Sequence, residues 1–450
     1  MGAMGDAIEL GRRIAAASAG VALCLAFAAP ATAKTYVVNS RSDHVPASCS
    51  QRHDCTLREA VRAANAHSGG DKIVLEGGRV YKFAQAGAGE DAAMTGDLDT
   101  TGALKIVHTG AHRPVIDANG LDRVFHAQFF AGKLSLNGLV IRGGNVGGGF
   151  GGGGVETDGG GAGVDIRDCI LAHNQAVAGG GGVLANGSQV TIVSSRVEHN
   201  TSGSDGGGLW TNAPMKVDRS TVKGNHSTAG PFGGGAALIG GAGSSLLVTR
   251  STVNGNTAAG SGGAFYNDVG QLTVRNSTLS GNRANGSGGG IVNDESAFGG
   301  NFTKLNDVTI VRNQANADGI GGGVGGGMTR IPPFGPPVPS ATQVENSLIA
   351  LNTVGAGGAD PNCNGSFDSG GHNLRSTSDP GCSGFAAATD LVRANPRLGG
   401  LKSNGGATKT VALLRHSPAI GHAGKATSEK RDQRGVMRDA DPDIGAFERR

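Results

Sequence analysis

The chain has 450 residues, of which 82 are glycine and only 4% aromatic, and its formal net charge is +3. So much glycine without a three-residue period excludes collagen. The few aromatics argue against long aromatic grooves, and the lack of a Lys/Arg run leaves no nucleic-acid footprint.

Residues 1–33 read as an export leader. Arg12-Arg13 precede the apolar run IAAASAGVALCLAFAAPATA, and Ala31-Thr32-Ala33 fits an A-x-A cleavage site. The mature chain is expected to begin at Lys34, secreted or on the outer cell surface. No later stretch is long and apolar enough for a transmembrane helix. Cys49 and Cys55 lie close in sequence, as do Cys363 and Cys382. In an oxidising compartment each pair is expected to form a local disulfide. Cys169 is left over.

Residues 34–133 read as an N-terminal cap with the first coils. CTLREAVRAANAH (55–67) predicts a short amphipathic helix between the strands TYVVN and KIVL. Leu57, Val61 and Ala64 share one helical face with Ala60 beside them, while Arg58, Glu59 and Arg62 lie elsewhere. Such a helix would cover the open sheet edge of the first coil. GDLDTTG (96–102) carries two acids and is expected to form a turn.

Residues 134–360 repeat. Asn145, Asn174, Asn200, Asn225, Asn256, Asn282, Asn313 and Asn352 recur every 25 to 39 residues, and the variation falls in glycine-rich stretches. Three residues before each Asn from the second onward stand Leu171, Val197, Val222, Val253, Leu279, Ile310 and Ile349. Eight before it stand Ile166, Ile192, Val217, Val248, Val274, Leu305 and Val344. Five before it stand Cys169, Ser195, Ser220, Ser251, Ser277, Val308 and Ser347. This is strand alternation with a corner between the last two columns. A coil of two or three short strands cannot bury its own apolar face, whereas stacked coils cover one another. The expectation is an all-β parallel β-helix, with an Asn ladder and glycines at the corners. Cys169 falls in the inward serine column and is expected to be buried and inert.

The end segments carry a resemblance. CTLREAVRAANA resembles the CSLREA domain of secreted bacterial β-helix proteins, and GLDRVFHA and LSLNGLVIRGG resemble the coils that follow it. The Val/Leu-x-x-Asn and Gly-Gly-Ala pattern is similar to the repeats of polymorphic outer-membrane proteins. NGGATKTVALLRHSPAI (404–420) and DQRGVMRDADPDIGAFE (432–448) resemble the choice-of-anchor Q domain, although SPAIGH here replaces that family's SPAID. The resemblance implies a right-handed parallel β-helix exposed at or beyond the cell surface, with 361–450 as last coils and C-terminal cap. It implies no established activity.

A second Asn column, Asn186, Asn212, Asn267 and Asn293, is followed in its last two members by Asp268 and Asp294. One coil apart, these two carboxylates form a weak Ca²⁺ candidate, to which Glu295 adds a third acid. Trp210 and Tyr266 in neighbouring columns offer faces for a sugar ring. The competing account is ordinary Asn-Asp turn chemistry. His173 and His199 share a corner column and read as exposed histidines. Arg431, Asp432, Arg434, Asp441, Asp443 and Glu448 read as a salt-bridged cap, and IPPFGPPVPS (331–340) as a protruding loop. No catalytic constellation and no cofactor motif is present. The expected role is structural, adhesive or glycan-binding, with a polysaccharide or cell-surface glycan as partner. The alternative is a lyase or hydrolase acting on acidic polysaccharide.

Overall fold

The computed structural model describes residues 32–45, 49, 54–149, 151–230, 233–238, 243–296, 301–334 and 342–450. Most of the expected leader (1–31) and residues 335–340 of the proline-rich loop lie outside them.

The columns align as strands. Ile166 pairs in register with Ile192, Leu171 with Val197, Gln175 with Thr201 and Val183 with Leu209, always parallel. Repetition builds three long parallel sheets of twelve, twelve and eleven strands, and a narrow fourth of eight. The first sheet runs from Thr35–Val37 to Asp368–Gly371, the second from Val80–Lys82 to Leu391–Val392, the third from Leu98–Thr100 to Cys382–Ser383. The fold is a parallel β-helix. Each full coil holds four strands, not two or three, because a two-residue strand follows the Asn column. The inward columns of Ile166 and of Leu171 are fully buried down the stack, so each coil is stable only against its neighbours.

The Asn ladder begins at Asn174, not Asn145. Asn145 pairs with Gln175, one residue past the column. Gly144 holds the ladder position, and its N–H donates to Asn174 Oδ1 at 3.0 Å. From there each Asn donates to the next, and Asn352 passes the chain to Asn362 Oδ1 at 3.0 Å. A second ladder was not foreseen: the Ser220 hydroxyl accepts from Ser195 N, and the Ser251 hydroxyl from Ser220 N.

Two corners are not made by glycine clusters. The first is a single left-handed residue, Asp168, Ser194, Arg219, Arg250, Asn276, Asp307 or Asn346, with φ between 43° and 56°. The second lies just before the Asn ladder, at His173 and His199 among others. Asn, Asp and His tolerate this conformation better than most side chains, and the ladders hold it in place. The glycine clusters make the corner into the third sheet, where Gly180, Gly206, Gly262 and Gly288 are left-handed, and they allow close backbone approach: a methyl group on Gly182 would stand 2.6 Å from Gly208 O and 3.0 Å from Asn200 Nδ2.

The helix spans Leu57–Asn65 and is closed by a Thr56/Glu59 capping box. It packs on the first strands of the first and third sheets. Arg58 and Glu59 are buried rather than outward. Glu59 is used by the cap. Arg58 donates to the carbonyls of Ala93, Thr95, Gly96 and Asp97 and pairs with Asp43 at 2.7 Å. Both expected disulfides are present, and Cys169 is free and buried.

Residues 398–450 do not lie across the last coil. They run back along the outer side of the second sheet. Asn276 Nδ2 donates to Arg431 O at 2.6 Å, Asn306 Nδ2 to Thr427 O at 3.0 Å, and Gly445 N to Asn346 O at 2.8 Å. Val311, Leu348 and Ala350, on the outer side of that sheet, pack with Val411, Leu413, Ile444 and Phe447. The central cation is Arg438, which the sequence reading did not single out. It is buried and pairs with Glu448 at 3.2 Å and Asp307 at 3.4 Å.

Candidate functional site

The three-residue strands of the third sheet hold two residues in the core and turn the middle one outward. In register these are Asp99, His126, Glu156, Leu184 and Trp210. GDLDTTG is therefore not a turn. Leu98–Thr100 opens this sheet and brings Asp97 and Asp99 against the next two coils.

His126 is clamped between two carboxylates. Its Nδ1 stands 3.1 Å from Asp99 Oδ1 and its Nε2 2.9 Å from Asp158 Oδ2. Asp99 also accepts from Ala93 N at 2.9 Å and Gln128 Nε2 at 3.1 Å. Burial acts most strongly on the imidazole and pulls its pKa down. The Asp99 bond and the negative Asp158 and Asp97 outweigh that pull and lift it to about 9. With both nitrogens donating, His126 is an imidazolium. The donor atoms of Asp91, Asp99 and His126 lie within 4.8 Å of one another, but a metal would first have to displace that proton. Beside the clamp, Arg123 Nη1 donates to Asp97 Oδ2 at 3.0 Å. Its Nε lies 2.9 Å from Glu156 Oε2, although neither atom makes a well-directed hydrogen bond. Burial and the neighbouring Asp99 push Asp97 up to about 7 against the pull of Arg123; burial likewise raises Glu156.

Two exposed aromatics adjoin this network. Phe129 and Phe130 are 61% and 74% exposed, edge to face at 4.3 Å between centroids. Phe130 holds φ at 58°, a strained conformation for a bulky residue. Its ring lies on the turn after Asp158: a methyl group on Gly160 would meet it at 2.6 Å.

The residues chosen from sequence are placed differently. Tyr266 is buried and its hydroxyl donates to Asp294. Asp294 also accepts from Ser296 N at 2.9 Å and Ser296 Oγ at 2.6 Å. Glu295 is held by Arg330 through two bonds of 2.8 and 2.6 Å, so both its oxygens are already engaged. Asp268 is half-buried; burial and the Asp294 charge raise its pKa. Trp210 is half-buried over Gly179, where a methyl group would meet the indole at 2.6 Å, and lies two coils from Tyr266. His173 and His199 stack at 5.6 Å and are exposed.

Asp97, Asp99, Arg123, His126, Glu156 and Asp158 were missed. The available signal was the middle position shared by LDT, FHA and VET. The coils holding LDT and FHA precede the Asn marker, so their columns had nothing to align on.

No protein-family model and no curated protein matches the chain. Among solved structures it is similar to the crystal structure of pectate lyase Pel9A, with 16% identity and a TM-score of 0.51. The match covers 94% of this chain and 98% of that one. This likeness shows the fold, a right-handed parallel β-helix.

Proposed function

We propose that this chain is an exported β-helix protein that binds a glycan at the first coils of the third sheet and does not cleave it. The exposed Phe129–Phe130 pair carries this reading. Each of the two exposed rings, set at 77° to one another, offers an apolar face of the kind that sugar rings stack on. Asp158, half-exposed beside them, supplies a hydrogen-bond acceptor for hydroxyls. The leader-like N-terminus and the resemblance to secreted β-helix proteins support the location. Native electrophoresis through gels containing single polysaccharides tests it. At least one polysaccharide should retard the wild type and not the Phe129→Ala, Phe130→Ala variant; equal mobility of the two in every gel would refute the site.

A second reading is polysaccharide cleavage, favoured by the likeness to pectate lyase Pel9A and by an acid, Asp97, poised near neutrality. Fold alone does not decide activity. Asp97 and Asp99 are 1% and 0% exposed, and Arg123 beside them is held by Asp97 and Glu156, so the geometry gives this reading less support. Release of new chain ends from an acidic polysaccharide would establish it.

A further inference from the structure

We infer that a second site, a cationic groove between the first sheet and the C-terminal segment, binds an anionic polysaccharide. The groove encloses about 710 Å³. Its charged lining is Lys216, Arg250, Arg275, Lys430 and Arg431 against a single acid, Glu429. Two of the cations are partly spent: Arg250 is held by Asp218 at 2.8 Å, and Arg275 lies 3.5 Å from Glu429. Lys216, Lys430 and Arg431 are exposed and make no ion pair among the described residues.

The fold sets this wall before any ligand arrives. Lys216 is an outward residue of Pro214–Asp218, in register with Leu247 on the next strand. Arg275 ends the strand after that, in register with Asp218 rather than with Lys216, so the two cations are two strand spacings and two residues apart, about 12 Å. The opposite wall, 427–431, is pinned at both ends by Asn306 and Asn276. Between them Asp307 accepts from Ser428 Oγ at 3.1 Å and Glu429 N at 2.8 Å. A rigid wall spares the ligand the cost of ordering it.

Charge complementarity selects a polyanion. The remaining lining favours a sugar chain over nucleic acid. Leu247, Thr249 and Met437 give a mixed floor suited to sugar rings, and the lining has no aromatic residue on which a base would stack. Carboxylated and sulfated chains share the required chemistry.

The test is affinity of the mature chain for polygalacturonate, heparin and single-stranded DNA, measured by calorimetry at low and high salt. The Lys216→Glu, Lys430→Glu variant should lose about tenfold or more in affinity for a polyanionic glycan, and the wild type should lose most of its affinity at high salt. Lys105→Glu, the same kind of charge change on an exposed residue of the first sheet outside the groove, should stay within about twofold. If the double reversal disturbs folding, Lys216→Gln, Lys430→Gln replaces it, with a smaller loss expected. Unchanged affinity in both groove variants, an equal loss in Lys105→Glu, or DNA bound as tightly as either glycan would each overturn the assignment. Preference between polygalacturonate and heparin tells carboxylate from sulfate. Repeating the groove substitutions in the Phe129→Ala, Phe130→Ala background reads the groove alone, and the loss of about tenfold or more should persist there, so failure of one site leaves the other separately judged.

Discussion

Asn200 donates twice to a single atom of Asn225 one coil away: its backbone N and its Nδ2 both stand 3.0 Å from Asn225 Oδ1. Asn225 repeats the grip on Asn256. Both residues are fully buried, so removing one acceptor strands two donors away from water. Asn225→Ala is expected to cost about 2–5 kcal/mol, from two unsatisfied buried groups. Urea unfolding of the variant against the wild type measures it; a midpoint within error would mean the ladder is ornamental.

Arg58 ties the capping helix to the start of the third sheet through four carbonyls and Asp43. Arg58→Met keeps the bulk and leaves Asp43 without its buried cation, at an expected cost of about 3–5 kcal/mol. The loss should be local first. Hydrogen exchange at the Gly96 amide, which bonds Gln85 O, should accelerate well before exchange at the ladder amides. Uniform acceleration along the solenoid would contradict that order.

Stability should be greatest in mild acid. Burial raises Asp307 and Asp443 to about 6 and Asp97 to about 7, from an unfolded value near 4. The folded state then binds more protons than the unfolded one between those limits, so stability falls as pH rises through them. His126, lifted to about 9, acts in the same sense at higher pH: its contribution is full below about 6.5 and is lost toward 9. Thermal midpoints should decline from about pH 5 to pH 9. Asp307→Asn should flatten the lower part of that slope, and a midpoint that rises across the range would refute the signs.

Cys169 lies 1% exposed and its thiol is pushed up to about 12 by burial. Alkylation of the non-reduced protein prepared without residues 1–33, and so without Cys24, should label nothing until denaturant is added, then one cysteine. Labelling of the native chain would place this thiol outside the core.

The solenoid was legible because each coil repeats the same residue at the same contact. Val197, Val222 and Val253 occupy one column because only an apolar residue fits between two coils. The first corners were hidden for the opposite reason. Asp168, Ser194, Arg219 and Arg250 share a backbone conformation and no side-chain type, so nothing repeats in letters. Arg58 lies off the apolar face of the helix, and helical spacing carries no information about the carbonyls of residues 93–97 folding over it. The His126 clamp joins Asp99, His126 and Asp158 across coils of unequal length, and only the strand register brings them together. The basic groove was out of reach of sequence because its two walls are some two hundred residues apart, and the return path of residues 398–450 is set by packing on Val311 and Leu348.

Binding without cleavage can be read in a single experiment. The test is to incubate the purified protein with polygalacturonate and a panel of neutral and acidic glycans, with and without Ca²⁺, across mildly acidic to alkaline pH. Retention on the glycan and release of new chain ends are read from the same samples. At least one glycan should retain the protein while its chain length stays unchanged. Shortening of any glycan in step with protein concentration, or the absence of retention on all of them, would contradict it.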